Sequence, residues 1–358
     1  MKGWDYAKDE NIVNIGILKN LRIGKNYSLL FLDRHCRSVR IDDFDELWYD
    51  QVYIEVTGSR MAWVCYTGDT GEEKMTPQQE GHTTRKPRID FHVHMSVYHP
   101  FQPEALAWFK KTLPAGDEGY LERYSDPGAF EELLTAEGVD YACILAELNP
   151  VTTGICSNEQ VRDFCRGRSR LIPFCDVSPH VYMHLGEELR RKVEDEGFRG
   201  LKLYPTYQHY YLGDPRMYPL YQVAQELEIP VLIHTGSSVF PQSRIKYGNP
   251  IDVDDIARDF PELVLVMAHS GRGVWYDEAF FMSRHHPHVF MEISGLPPSR
   301  LMTYFPELDR NTDKVIFGSD WPGISMIKQN METIGRLPLA AEGIDRILGG
   351  NAARILKL

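Results

Sequence analysis

From Arg88 onward the sequence alternates short apolar runs with amphipathic segments of helical period. Eight apolar runs predict strands, at residues 89–94, 139–146, 171–177, 200–204, 230–235, 263–269, 289–294 and 315–320. Helices are predicted between them, at 128–137, 159–166, 182–196, 217–227, 253–260 and 276–284. Alternation of this kind is typical of parallel strands joined by right-handed crossovers.

Eight strand–helix units predict an α/β fold, the closed (β/α)8 or TIM barrel. Residues 88–358 have the length of such a barrel, which uses about 250 residues. The competing architecture is an open doubly wound sheet, which usually has a glycine-rich turn after its first strand. Here the first strand is followed by Met95-Ser96-Val97, so the barrel is favoured.

The first 85 residues are predicted to form a small β-rich module plus a linker, and residues 86–358 the barrel. Strand-like runs occur at 27–32, 51–56 and 61–66, and the stretch 67–88 is rich in Gly, Thr, Glu and Gln. A module of this size buries little core by itself. We therefore expect it to pack on the rest of the chain or on a second subunit, and we expect a homodimer.

Composition and charge exclude several classes of partner. The net charge is −12, which argues against nucleic-acid and anionic-membrane binding. No apolar run reaches the roughly 18 residues of a transmembrane helix, and the first ten residues lack the apolar segment of a secretory signal. The six cysteines form no CxxC pair. A cytoplasmic protein with free thiols, acting on a small molecule, is expected.

Histidines and an aspartate follow the predicted strands at their carboxyl ends, where barrel enzymes build their active sites. His92 and His94 are two apart on the first strand and so project to one side. His234, His269 and Asp320 end the fifth, sixth and eighth strands. A barrel brings these ends to one rim, and imidazoles with a carboxylate suit one divalent cation. Zinc is expected, with manganese, iron and cobalt as alternatives.

Lys202 interrupts the apolar fourth strand, where an unpaired lysine is costly to bury. Three interpretations are open: an ion pair with Asp176 or Glu292, a cation for an anionic substrate, or a carboxylated lysine that bridges two metal ions. Tyr204 shares its side of the strand. Loops after the strands add further candidates for substrate binding, and together these groups suit an aromatic or unsaturated carboxylate. The loop candidates are His209, Arg244, Arg272 and Trp275.

Six motifs in this order resemble the amidohydrolase superfamily, in particular its amidohydrolase-2 branch, which includes aminocarboxymuconate-semialdehyde decarboxylase. They are IDFHVH (89–94), GLKLYP (200–205), PVLIHTG (230–236), VMAHSG (266–271), FGSDWP (317–322) and GGNAARIL (349–356). The resemblance implies that His92, His94, His234 and Asp320 bind one metal ion. It also implies that His269 is an acid/base, and that the site is binuclear if Lys202 is carboxylated.

A metal-dependent hydrolase is the leading functional prediction. A bound divalent ion lowers the pKa of water to about 7, and Asp320 can orient that water and take its proton while His269 serves the leaving group. The expected substrate is a small cyclic or carboxylated amide, lactone or ester. The alternatives are a nonoxidative decarboxylase of an aromatic or unsaturated carboxylate, and an inactive barrel that acts as a binding protein.

Overall fold

The computed structural model describes residues 86–114 and 117–358 in full and, within the first 85 residues, only seven short strands. Contacts divide the chain into two compact units, Met1–Thr83 and Thr84–Leu358. Most of the predicted linker at 67–88 lies outside the described residues.

The first unit contains only antiparallel strand pairs in its described part. β1 pairs with β6, β2 with β5, and β3 with both β4 and β7. Two predicted strands coincide with β3 and β6, and the third overlaps β7. The strands are β1 (Val13–Leu18), β2 (Arg22–Ile23), β3 (Tyr27–Leu32), β4 (Ser38–Ile41), β5 (Leu47–Trp48), β6 (Gln51–Val56) and β7 (Cys65–Gly68).

The second unit is the predicted barrel, so the (β/α)8 prediction is confirmed. Its eight parallel strands are β8 (Ile89–His94), β9 (Tyr141–Leu145), β12 (Leu171–Asp176), β13 (Gly200–Leu203), β14 (Val231–His234), β15 (Leu265–Ala268), β16 (Val289–Glu292) and β17 (Val315–Ile316). A short hairpin, β10 (Glu147–Asn149) and β11 (Gly154–Cys156), follows β9. The barrel is nearly closed, because His94 N donates to Trp321 O (2.8 Å) and Asp320 N to His92 O (3.0 Å).

Helices surround the strands, and side chains that cap free backbone N–H groups mark where two of them begin. Asp126 caps α3 through Ala129 N, and Ser157 forms a capping box with Gln160 at α4. The helices are α1 (Pro103–Thr112), α2 (Tyr120–Arg123), α3 (Pro127–Glu137), α4 (Asn158–Cys165), α5 (Leu185–Glu194), α6 (Pro205–Gln208), α7 (Tyr218–Glu226), α8 (Val253–Asp259), α9 (Tyr276–His285), α10 (Leu301–Tyr304), α11 (Ile327–Ile334), α12 (Ala341–Asp345) and α13 (Asn351–Leu356).

Side chains alternate along the strands between two apolar clusters. One cluster lies between the strands and the helices, and the other fills the barrel interior. In β8 the register shifts between Asp90 and Val93. This irregularity lets Phe91 join the interior cluster while the next residue, His92, lines the cavity above it. Four cysteines of the second unit, Cys143, Cys156, Cys165 and Cys175, are buried free thiols.

Gly200 is required by the packing of the barrel interior. It is aligned with Phe174 across β12 and β13, and a Cβ on Gly200 would lie 2.4 Å from the Phe174 ring. We expect Gly200→Ala to lower the free energy of unfolding by about 1–3 kcal/mol through overpacking. Urea denaturation measures it, with Gly213→Ala as the control, because Gly213 has no atom within 4 Å of its added Cβ. Equal midpoints for the two variants would contradict the packing argument.

Candidate metal centre and cavity

Three predicted ligand atoms converge at the carboxyl ends of the first and last barrel strands. His92 Nε2 lies 3.2 Å from His94 Nε2, and Asp320 Oδ1 lies 3.6 Å and 3.4 Å from these two nitrogens. Tetrahedral zinc with ligands at about 2.1 Å separates neighbouring ligand atoms by about 3.4 Å. The spacing of the three atoms therefore fits a divalent cation.

Burial keeps most of the imidazoles at this site neutral, which is the form that binds a metal ion. It lowers the pKa values of His92, His234 and His269 well below the usual range. His94 differs: burial opposes its charge, but Glu147 and Asp320 raise its pKa to about 9. Burial also opposes the charge of Asp320, yet His94, His92 and Arg272 hold the pKa of that carboxyl below its usual range.

The backbone is strained at the same place. His269, Ser270 and Asp320 have φ values of 61°, 46° and 70°, in the left-handed region that residues other than glycine rarely adopt. Each such residue costs about 1–3 kcal/mol and persists where the surrounding structure enforces it. Strain at two strand ends that face one cavity is typical of a functional site.

His234 and His269 complete the ring of histidines. Their ring centroids are 4.7 Å apart, and the His269 ring is 4.9 Å from that of His92. His234 Nε2 is buried and has no hydrogen-bond partner among the described residues. An unpartnered imidazole nitrogen at the cavity is what an additional metal ligand requires, although His234 lies outside the tight trio of His92, His94 and Asp320.

Sequence reasoning missed Glu147, the first residue of β10, which lies two residues after the end of β9. Its carboxylate lies 3.0 Å from His94 Nδ1 and accepts hydrogen bonds from Tyr98 Oη (2.8 Å), Asn149 Nδ2 (2.8 Å) and the Thr153 hydroxyl. Glu147 is buried and lines the cavity. An acidic residue immediately after the predicted apolar run 139–146 was the available signal.

A cavity of about 250 Å³ lies above these groups. Its floor holds the histidines, Asp320, Glu147, Lys202 and Arg272. Its walls are largely aromatic: Tyr98, Trp108, Phe109, Tyr204, Tyr207 and Phe240. Trp108 and Phe109 come from α1, a helix that the sequence prediction did not include. An aromatic wall over a polar floor suits a small conjugated molecule.

Lys202 is fully buried on β13 at the floor of this cavity. Its Nζ has no hydrogen-bond partner among the described residues, and its nearby contact is the Tyr204 ring, whose centroid is 5.1 Å away. The predicted ion pair with Asp176 or Glu292 is therefore not formed in the described part of the chain. Burial lowers the pKa of Lys202 to about 8.

The structure places the predicted substrate-binding residues in two groups. Lys202, Tyr204 and Arg272 line the cavity, and Arg272 donates to Ser237 O (2.9 Å) with its Nη1 3.8 Å from Asp320 Oδ2. His209, Arg244 and Trp275 do not line it. His209 bonds instead to Gln242 O (3.0 Å), and Arg244 is exposed. These three predictions relied on loop position, which does not fix where a side chain points.

A second group of potential ligands, Asp254, His285 and His286, lies outside this cavity. The Arg258 side chain contacts two members of this group. Arg258 Nε is 3.0 Å from Asp254 Oδ2, and Arg258 Nη2 is 3.1 Å from His285 Nε2. His286 Nε2 is 2.7 Å from Asp254 Oδ1. The carboxylate is already paired, so this cluster is explained by ion pairing.

Together, the barrel and its histidine–aspartate rim define a (β/α)8-barrel enzyme of the metal-dependent type. Residues 89–358 match the amidohydrolase family, and the chain belongs to that family. Among the described residues, none of the helices has the length and apolar character of a transmembrane span.

Two solved structures share the barrel architecture, and one further protein shares a segment of sequence. The barrel resembles an uncharacterized TIM-barrel protein from Bordetella bronchiseptica (TM-score 0.63, 22% identity, 76% of this chain and 98% of the other). It also resembles 5-carboxyvanillate decarboxylase from Novosphingobium aromaticivorans, solved with manganese and 4-hydroxy-3-methoxy-5-nitrobenzoic acid (TM-score 0.59, 17% identity, 80% and 100%). A 104-residue segment is 32% identical to 2-keto-4-carboxy-3-hexenedioate hydratase from Sphingobium, covering 25% of this chain and 30% of that protein.

Proposed function

We propose that this protein is a metal-dependent lyase that removes carbon dioxide from a small, planar, aromatic or unsaturated carboxylate. The observation that carries the proposal is the unpartnered ammonium of Lys202 on the floor of an aromatic-walled cavity, beside the candidate metal ligands. A buried cation without a partner is costly, and a substrate carboxylate would supply the missing partner.

The residues present fit a divalent metal ion. His92, His94 and Asp320 have the spacing described above, and His234 offers an unpartnered nitrogen. These four residues would hold the ion. When bound, such an ion supplies a Lewis acid that polarises substrate oxygen atoms.

Other cavity residues would bind the substrate and transfer a proton. Lys202 and Arg272 would bind and orient the carboxylate, and the aromatic walls would stack on the conjugated part of the molecule and exclude water. His269 Nδ1 faces the carbonyl of Ser294 at 3.0 Å, so Nδ1 carries the hydrogen. Its Nε2 is then free to accept a proton and deliver it to the substrate carbon whose bond to the carboxyl group breaks.

Similar proteins support a lyase. The Novosphingobium enzyme is named for decarboxylation of an aromatic carboxylate, and the Sphingobium enzyme for hydration of an unsaturated one. Hydration is the second candidate, favoured by that 32% identical segment. Both reactions use a conjugated carboxylate, a cation to hold it and a group that moves a proton.

An assay with three readouts tests the reaction. The protein is stripped with a chelator, reloaded with Mn²⁺ or Zn²⁺, and incubated with hydroxybenzoates, unsaturated dicarboxylates and lactones. Carbon dioxide release with no ¹⁸O from labelled water in the organic product supports decarboxylation. Uptake of one water into a conjugated acid supports hydration, and opening of a lactone supports the hydrolase predicted from the sequence. Either of the last two outcomes overturns the decarboxylase proposal.

Lys202→Met is expected to raise KM for the carboxylate substrate by about 10- to 100-fold, since a charge-assisted hydrogen bond contributes about 1.5–3 kcal/mol. The substitution keeps an unbranched side chain, one heavy atom shorter, and removes the charge. Metal affinity should stay within about twofold, because Lys202 is not one of the proposed ligands. Steady-state kinetics on the metal-loaded variant checks this, and an unchanged KM would remove Lys202 from substrate binding.

A further inference from the structure

We propose that the end of β16 is a positioning element, in which Glu292 and Ser294 together hold His92 and His269 in the orientation that the site needs. The proposal rests on the proposed function in one respect, because it takes His92 as a metal ligand. The seventh strand of the barrel supplies none of the predicted metal ligands.

Glu292 fixes the tautomer of His92. Its Oε2 lies 3.0 Å from His92 Nδ1, and both side chains are fully buried. A carboxylate beside Nδ1 accepts its hydrogen, which leaves the lone pair on Nε2, the nitrogen that faces His94 and Asp320. Metal-binding histidines commonly donate their second nitrogen to a carboxylate in this way, which fixes the ring and strengthens the ligand.

Ser294 connects His92 to His269. Its hydroxyl donates to Glu292 Oε2 (2.8 Å) and lies 3.0 Å from Nδ1 of each histidine. A hydroxyl has one hydrogen and two lone pairs, so these three contacts use its full capacity. The Ser294 backbone carbonyl is also 3.0 Å from His269 Nδ1. One residue therefore orients both the proposed ligand and the proposed proton carrier.

Gly318 leaves the space that Glu292 occupies. A Cβ on Gly318 would lie 2.2 Å from Glu292 Oε1 and 2.7 Å from His92 Cβ. Glu292 is further held by Ser294 N, which donates to Oε1 at 2.6 Å. The carboxylate thus fits between the first, seventh and eighth strands in one position.

The same atoms do not form a second metal site. Nitrogen and oxygen atoms of His92, His269 and Glu292 lie close enough together to suggest one. However, the Ser294 hydroxyl is within 3.0 Å of all three and occupies the place between them. The cluster is a filled hydrogen-bond network, which favours positioning over metal binding.

The test compares variants by metal affinity as well as by turnover. Mn²⁺ dissociation constants are measured by electron paramagnetic resonance on full-length protein whose thermal unfolding is recorded in parallel. Glu292→Gln is expected to weaken Mn²⁺ binding by about 10- to 100-fold. Ser294→Ala is expected to lower kcat by about tenfold or more, with rescue in Ser294→Thr, which keeps the hydroxyl.

Asp176→Asn is the matched control, because Asp176 is an equally buried barrel carboxylate that accepts from Leu148 N and Gln208 rather than from an imidazole. Its Mn²⁺ affinity should stay within about twofold of wild type. Gly318→Ala should also weaken Mn²⁺ binding, because its Cβ would displace Glu292 and press on His92.

The outcomes separate this inference from the proposed function. If wild type binds Mn²⁺ and folded Glu292→Gln binds it equally well, the positioning role is overturned while the metal site stands. The role is also overturned if Asp176→Asn loses as much affinity as Glu292→Gln. If wild type binds no divalent ion, the proposed function itself fails.

Discussion

His92→Ala is expected to lose metal binding and turnover together. The substitution removes one of three ligand atoms that lie 3.2–3.6 Å apart, and it leaves Glu292 without its imidazole partner. Loss of a residue that only hydrogen-bonds to a metal ligand already lowers metal affinity by about 10- to 100-fold. Loss of a ligand should cost more than about 100-fold, and activity at micromolar metal should fall below detection.

Metal analysis after dialysis, followed by titration with Mn²⁺ or Zn²⁺, measures this effect. His286→Ala is the control, because His286 is also a buried histidine but bonds to Asp254 outside the cavity. The His286→Ala protein should retain the same metal content as wild type. A His92→Ala protein that is folded and still retains one tightly bound ion would show that the ion binds elsewhere, and the site proposed here would be wrong.

His269→Gln is expected to separate binding from chemistry. The residue lines the cavity but stands apart from the trio of His92, His94 and Asp320, so metal affinity should change by no more than about threefold. Its proposed role is proton transfer, and a positioned acid/base contributes about 10²- to 10⁴-fold. We therefore expect kcat to fall by that factor while KM changes little.

Single-turnover kinetics on His269→Gln and wild-type protein with matched metal content measures the expected fall in the rate of the chemical step. A variant with wild-type kcat would exclude His269 as the proton carrier. A variant that loses metal as strongly as His92→Ala would instead make His269 a ligand. The two histidine variants thus test the division of tasks around the cavity.

Most of the barrel could be predicted from the sequence because its strands are short, apolar and bounded by polar residues. The run 89–94 coincides with β8, and the run 315–320 begins where β17 begins but continues past its end at Ile316. Strand ends were the least accurate part, since the polar residues after several strands leave the sheet. His269 and Asp320 do so in left-handed conformations that apolar patterning does not reveal.

Sequence periodicity also could not show which polar residues support the site. Glu292 and Ser294 are two apart at a strand end, as His92 and His94 are, yet carboxylates and hydroxyls are too common for this spacing to stand out. Phe91 and His92 both face inward because of a register shift in β8, which strict alternation excludes. Loop residues such as Arg244 had no pattern to place them, and the structure leaves that side chain exposed.

The left-handed backbone at His269, Ser270 and Asp320 has a consequence for engineering. Glycine adopts such φ values freely, so replacing His269 or Asp320 with glycine would relieve strain while deleting a proposed functional group. Thermostability and turnover therefore oppose each other at these positions. Selection for thermostability alone would therefore tend to remove the proposed functional groups first. Stabilising substitutions should be sought away from the carboxyl ends of the barrel strands.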